Sequence, residues 1–216
     1  IMIKIGDDGK KASAIELNCE TDFVARNDDF RNSAEAFLNA AFKAETGSIA
    51  DLLQEEVDGL SIEKQLDEMV GKIGEKIELS SVVFVETDGE LVKYIHPGNQ
   101  LGVIAEFESE VDDKEVANDV AMQIAAMNPL AVTREGVDTS VVEKELEIAK
   151  EQLLNEGKPE EIAEKAAKGK LRRFYEERVL LEQKFVKDNS ISVKEYLEQN
   201  DTPLVKTFHR LQLGES

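Results

Sequence analysis

Ile15-Glu16-Leu17-Asn18-Cys19-Glu20-Thr21-Asp22-Phe23-Val24-Ala25-Arg26 is the stretch where a strand pattern gives way to a helix pattern. Ile15, Leu17 and Cys19 alternate with Glu16, Asn18 and Glu20, the two-residue period of a strand buried on one face. Phe30, Ala34, Phe37, Leu38 and Ala41 then fall on one face of a helix. Asn27 and Asp28 are suitable N-caps for it. Between the two lies Thr21-Asp22-Phe23-Val24, which places two apolar side chains on a polar turn. Either Phe23 or Val24 packs back onto the helix as a staple, or the aromatic ring serves as an anchor for a partner's pocket. The residues alone leave both readings open.

The rest of the chain narrows what that turn can serve. Its 216 residues suffice for one large domain or two small ones, and 41% of them are hydrophobic. The formal net charge is −20, from 46 acidic and 26 basic residues. Such a surface repels phosphate backbones and anionic membranes, so neither nucleic acid nor membrane is an expected partner. A protein partner is favoured instead. No apolar run approaches the ~20 residues that span a bilayer. Cys19 is the single cysteine, so no internal disulfide can form, and its strand position favours a small packed residue over a nucleophile.

Upstream, Asp7-Asp8-Gly9 reads as a hairpin turn after a short strand from Ile1 to Lys4. Downstream, Ser61 is placed to cap a helix bearing Ile62, Leu66, Met69, Val70 and Ile73, with Gly74 as its C-cap. An alternating strand covers Ile77 to Val85. Asp88-Gly89 is expected to turn it into a second hairpin strand, Leu91 to His96. His96-Pro97-Gly98-Asn99 is a further turn, and Leu101 to Glu108 a further strand. Ala14-Ile15-Glu16-Leu17 resembles Gly102-Val103-Ile104-Ala105, and the helix after each is similar, a faint internal repeat. The first copy alone carries the Thr21–Val24 insertion.

After Asn128-Pro129, Ser140-Val141-Val142-Glu143 reads as a capping box. Val142, Leu146, Ala149 and Leu153 then form a coiled-coil seam. Gly157 and Pro159 end that helix and start another, carrying Ile162, Ala163, Ala166, Leu171, Phe174 and Tyr175. Glu143, Glu145 and Glu147 at one start and Lys168, Lys170, Arg172 and Arg173 at the other finish favour an antiparallel hairpin. Ser192-Val193-Lys194-Glu195 is another capping box, and a final strand spans Val205 to Leu213. The expected fold class is α+β. Two related subdomains, each a small antiparallel sheet packed with helices, carry an inserted antiparallel helical hairpin. The divisions are 1–86, then 87–139 with 184–216, and 140–183 for the hairpin.

Asn18 to Arg26 resembles the signature of the translation elongation factor Ts family, and Gly157 to Lys165 resembles that family's coiled-coil arm. Lys184-Phe185-Val186 matches the exit from the arm. The resemblance implies a guanine nucleotide exchange factor for the GTPase elongation factor Tu, acting in the cytoplasm without a cofactor or bound metal of its own. It implies that Thr21, Asp22, Phe23 and Val24 contact the GTPase and dislocate its Mg²⁺. Ile73, Gly74 and His96 become further contacts. On bare sequence, Gly74 is simply a helix C-cap and His96 a turn residue. Family members begin with a small helical module that nothing here matches, so a fragment or trimmed chain is expected. A homodimer or a 2:2 complex with the GTPase stays open.

Enzyme chemistry finds little support. His96 and His209, the only two histidines, have no metal-ligand spacing. No phosphate-cradling Gly-Lys-Ser/Thr loop, dinucleotide fingerprint or Gly-x-Ser-x-Gly elbow is present. Three alternatives to exchange remain: a paralogue that binds the GTPase without exchanging its nucleotide, a scaffold or chaperone-like protein acting through the arm, and, behind these, a hydrolase, for which no nucleophile–base pair is visible.

Overall fold

The computed structural model describes residues 1–214, so the last two residues of the 184–216 division lie outside the described residues. The chain opens with strands β1 (Met2–Ile5) and β2 (Lys11–Asn18), an antiparallel pair in which Ile3 faces Ala14. A single helical turn, α1 (Asp22–Ala25), leads into α2 (Asp28–Ala44). Asn27 caps α2 through its side chain, and Glu45 ends it in the left-handed conformation. A short helix α3 (Ile49–Gln54) and a two-residue hairpin, β3 (Glu56–Val57) with β4 (Leu60–Ser61), precede α4 (Ile62–Ile73). Ser61 occupies the N-cap of α4 without a side-chain bond, and Gly74 closes the helix at φ 77°. Strand β5 (Glu78–Glu86) then returns to the free edge of β2.

The same plan repeats. Strands β6 (Glu90–Ile95) and β7 (Leu101–Phe107) form a hairpin, and α5 (Lys114–Met127) follows. Helices α6 (Thr139–Asn155) and α7 (Glu160–Arg178) come next, then the small β8 (Lys184–Phe185) and β9 (Asp188–Ser192) pair and α8 (Val193–Gln199). Strand β10 (Val205–Gln212) adds to the outer edge of β7. The two sheets therefore have equivalent orders, β1-β2-β5 and β6-β7-β10. In each, the hairpin's second strand is central and the last strand arrives after a helical excursion. The repeat suggested by Ala14–Leu17 and Gly102–Ala105 is a topological one.

Each sheet has a helix-covered face and a face turned to the other sheet. Ile15, Leu79 and Val82 pack with Phe30, Phe37 and Leu38 of α2. Val103, Ala105 and Phe107 pack with Val116, Val120 and Ile124 of α5. Between the sheets lie Ile3, Ala12, Ala14, Val85, Leu91, Ile104 and Leu211. Gly102 leaves room for the isoleucines here: a Cβ on it would sit 2.8 Å from Ile1 Cγ2 and 2.9 Å from Ile3 Cδ1, so those side chains would have to shift. Lys93 Nζ spans the gap and donates to the Ile3 carbonyl at 2.9 Å.

This layering changes three expectations. Strand β2 is buried on both faces from Ala12 to Glu16, so Glu16 is not a solvent residue. Its Oε1 accepts from Asn18 Nδ2 at 2.8 Å. Asp88-Gly89 does not close a hairpin: β5 pairs with β2, and β6 pairs with β7. The segment instead carries the chain from one sheet to the other. The first hairpin holds it there, with Thr87 N–H donating to Lys10 O and Leu91 N–H to Gly9 O, both 2.9 Å. Gly89 passes so close to β7 that a Cβ would lie 1.9 Å from the Phe107 carbonyl oxygen. The cap of α6 is Asp138, which accepts from Ser140 N–H at 2.7 Å; Ser140 is already inside the helix.

Helices α6 and α7 form the antiparallel arm. Leu146, Ala149 and Leu153 meet Ala163, Ala166 and Ala167 along the seam. Ile162 lies outside it and is 55% exposed, one step off the buried stripe. The expected cross-arm charge pairing is also different. Arg172 and Arg173 bond Glu176 and Glu177 on their own helix. The ion pairs between the helices join Lys150 to Glu160 and Glu164 near the tip, at 3.1 and 2.9 Å. At the base, Leu130 N–H donates to Arg178 O at 2.8 Å and Leu180 N–H to Ala131 O at 2.9 Å. Gln123 of α5 anchors the exit: it donates to Gln183 Oε1 and Lys184 O and accepts from Val186 N–H.

Two glycine replacements separate close approach from mere backbone freedom. Gly89→Ala should lower the unfolding free energy by about 2 kcal/mol or more, since the obstacle is backbone. Gly71→Ala, in α4 with nothing near its Cβ position, should raise it by ~0.5–1 kcal/mol. Urea unfolding midpoints of both variants check the pair.

Candidate protein-binding site

The end of β2 and the end of α4 converge on one turn. Strand β2 stops at Asn18, and Cys19 Sγ donates to the Thr21 carbonyl at 3.3 Å. The Cys19 thiol is half-buried, and burial, with Glu75 adding to it, pushes its pKa up. It is a packed thiol held against ionisation. Thr21 caps α1, its Oγ1 accepting from Val24 N–H at 3.5 Å. Arg26 N–H donates to Asp22 O, and Arg31 Nε to Ala25 O, each at 3.1 Å. One helical turn is thus held at both ends.

This turn sends its two apolar side chains in opposite directions. Val24 packs against the α2 core and serves as the staple. Phe23 is 82% exposed, the largest exposure among the large hydrophobic residues described. Leaving such a ring in water forgoes ~1.5–3 kcal/mol of burial. Asp22 is also exposed and forms a 3.0 Å ion pair with Arg26 one turn on. Such surface pairs contribute little, on the order of 0.5 kcal/mol.

The second half of the site comes from α4. Gly74 takes the left-handed conformation and its N–H donates to Val70 O at 2.8 Å. That reversal aims Glu75 at the turn. Glu75 Oε1 accepts from Thr21 Oγ1 at 2.7 Å and Oε2 from Thr21 N–H at 3.0 Å. In return, Glu20 Oε2 accepts from Lys76 N–H at 3.3 Å. Ile73, immediately before the reversal, is 36% exposed, and Val70 one turn earlier is similar. The structure therefore brings Thr21, Asp22, Phe23 and Val24 together with Ile73 and Gly74. No local sequence pattern marks Glu75 as part of the site, because its partner Thr21 lies 54 residues away along the chain.

His96 sits apart, on the β6–β7 turn. Its Nδ1 lies 3.0 Å from the Tyr94 hydroxyl, and Asn99 N–H closes the turn onto His96 O at 3.0 Å. No contact joins it to Phe23 or Ile73. It shares an end of the molecule with them, because the turn meets the start of β1, which lies beside the end of β2. His209 lies in β10, where burial holds its imidazole pKa down against the Glu106 carboxylate. Among the described residues no group of three His, Cys, Asp or Glu could hold a metal ion, and no helix is long and apolar enough to cross a membrane.

The geometry separates surface from support. Phe23→Ala should leave the urea midpoint unchanged, because the ring packs on nothing within the chain. Thr21→Ala should cost about 1 kcal/mol, since it removes a cap and a bond to Glu75. Equilibrium unfolding of the two variants distinguishes these roles.

The family model described as Elongation factor TS matches residues 20–215. The chain is 46% identical over 203 residues to the elongation factor Ts of Amoebophilus asiaticus, covering 93% of this chain and 73% of that protein. It is 43% identical over 217 residues to the one from Christiangramia forsetii, covering 98% and 77%. For Aquifex aeolicus the figures are 40% over 226 aligned residues, 99% and 78%. Matches of this extent, over the site and both sheets together, make the chain a member of the elongation factor Ts family, with the role of a translation elongation factor.

Proposed function

We propose that this chain is a guanine nucleotide exchange factor for elongation factor Tu. The observation that carries the reading is Phe23: a large aromatic side chain left 82% exposed on a turn that is otherwise tied down on every side. Aromatic residues on ordered supports are the usual anchors of protein interfaces, because few rotamers are lost when they bind. Phe23 would insert into an apolar pocket of the GTPase domain, and Asp22 would bond beside it. Thr21 and Val24 shape the turn that presents the ring. Ile73 and Gly74 extend the contact from α4, and His96 adds a separate one. The inserted ring would shift the elements of the partner that hold Mg²⁺ and phosphate, so that the ion is lost and GDP leaves faster.

No covalent step is required. Factor and nucleotide bind one GTPase antagonistically, and the coupling is reciprocal. A thousandfold weakening of GDP corresponds to ~4 kcal/mol of coupling. GTP in excess then takes the vacated site. In this reading the chain is not an enzyme, needs no cofactor and acts in the cytoplasm. Residues 1–86 form one subdomain, 87–139 with 184–216 the other, and 140–183 the inserted arm. The exposed Ile148, Leu154 and Ile162 on that arm favour a second reading, a scaffold that engages partners through it.

Release of a fluorescent GDP from elongation factor Tu tests the proposal. The chain should accelerate release, and Phe23→Ala should lower that acceleration about 30-fold, the effect of losing ~2 kcal/mol at an interface anchor. Full acceleration by the Phe23→Ala variant would move the site elsewhere. Binding that survives Phe23→Ala but fails when 140–183 is removed would favour the arm.

A further inference from the structure

The carboxylate of Glu75 belongs to neither face of the proposed contact, yet it joins them. It lies directly after Ile73 and Gly74 and accepts two hydrogen bonds from one residue, Thr21. One comes from the backbone N–H and one from the hydroxyl, so the carboxylate grips the residue that caps α1 from two directions. Glu20 makes the reciprocal bond to Lys76 N–H. The end of β2 and the end of α4 are thereby cross-linked by three bonds across a sequence separation of more than fifty residues.

We infer that Glu75 is a positioning residue for exchange: its grip on Thr21 fixes the direction in which Phe23 projects and the spacing between Phe23 and the Ile73–Gly74 contact. This rests on the exchange reading above. The physical case is one of freedom. Helix α1 has only four residues, too short to hold its shape alone. Its N-cap Thr21 is exposed, so water competes for every bond that Thr21 makes. A ring on a loose turn must be ordered on binding, and that ordering weakens the contact. A turn already clamped by a carboxylate avoids that cost. A methyl group in its place accepts neither bond, so Glu75→Ala releases Thr21; a glutamine does not, because its oxygen can accept from the Thr21 N–H while its NH₂ donates to Thr21 Oγ1.

Glu75→Ala is the variant to measure, alone and combined with Phe23→Ala, by release of fluorescent GDP from elongation factor Tu. Alone, it should lower the acceleration about tenfold while the chain stays folded, its urea midpoint falling no further than that of Thr21→Ala. Combined with Phe23→Ala, it should add little to the loss from Phe23→Ala, because a support has nothing to position once the ring is gone. Glu75→Ala with parental exchange would overturn the inference. So would a double variant weaker by the full product of the single effects, since Glu75 would then act independently of Phe23.

A second readout does not depend on exchange. The chain contains no tryptophan, so Phe23→Trp introduces a single reporter at the tip. Time-resolved anisotropy should show a more freely rotating indole in Phe23→Trp/Glu75→Ala than in Phe23→Trp. Equal rotational freedom would overturn the inference even if exchange were impaired. Failure of the parent chain to accelerate GDP release would overturn the exchange reading, while the anisotropy comparison would still decide whether Glu75 holds the turn.

Discussion

The apolar contact between the two sheets is the constraint on which the rest of this structure depends. Neither three-stranded sheet could stay dry alone, since each has one face that its own helices do not cover. Ala12 and Ala14 on one side and Gly102 on the other keep the middle of that contact thin. Ile3, Leu91, Ile104 and Leu211 fill the space around them. Each such side chain taken fully out of water contributes ~1.5–3 kcal/mol. With the inner faces committed, helices α2 and α5 are left to the outside. The ends of the central strands become the places where loops can be elaborated.

The two halves use that opportunity differently. After β2 the chain makes α1 and exposes a phenylalanine. After β7 it runs through Glu108 to Asp113 without a helical turn, and Val111 is buried there. Glu90 ties this second junction down, accepting from Val111 N–H at 2.7 Å and pairing with Lys114. Burial alone would raise the Glu90 pKa, but those two partners outweigh it and hold the carboxyl below its ordinary value. A carboxylate thus braces each junction, Glu75 at the first and Glu90 at the second. Only the first leaves an apolar side chain outside.

Local patterns in the sequence were legible wherever the interaction is local. The hairpin turns at Asp7–Gly9 and His96–Asn99, the cap at Asn27, the stop at Gly74 and the Ser192–Glu195 capping box all involve neighbours within a few residues. Asp88-Gly89 misled for the same reason. Its composition suits a hairpin turn, but which strand β5 pairs with is settled by β2, some seventy residues earlier. Glu16 looked like a surface residue because the second sheet that covers it is not encoded nearby. On the arm, Arg172 and Arg173 found acids one turn along their own helix. The alternation of charge between helices could not reveal that competition. At the site, the motif marked Thr21 to Val24, while the division of labour between Val24 and Phe23 and the grip of Glu75 required the fold.

The exposed ring at position 23 also bears on how molecules of this chain behave toward one another. Glu20, Asp22, Asp28 and Asp29 surround it in sequence, and the chain as a whole carries −20. Two copies approaching tip to tip would bring these carboxylates together before the rings could touch. Salt shortens the reach of that repulsion to a few ångströms at molar concentrations and leaves the apolar attraction intact. Like charge thus opposes contact between two copies at this tip, partly offset by Arg26, which pairs with Asp22 beside the ring.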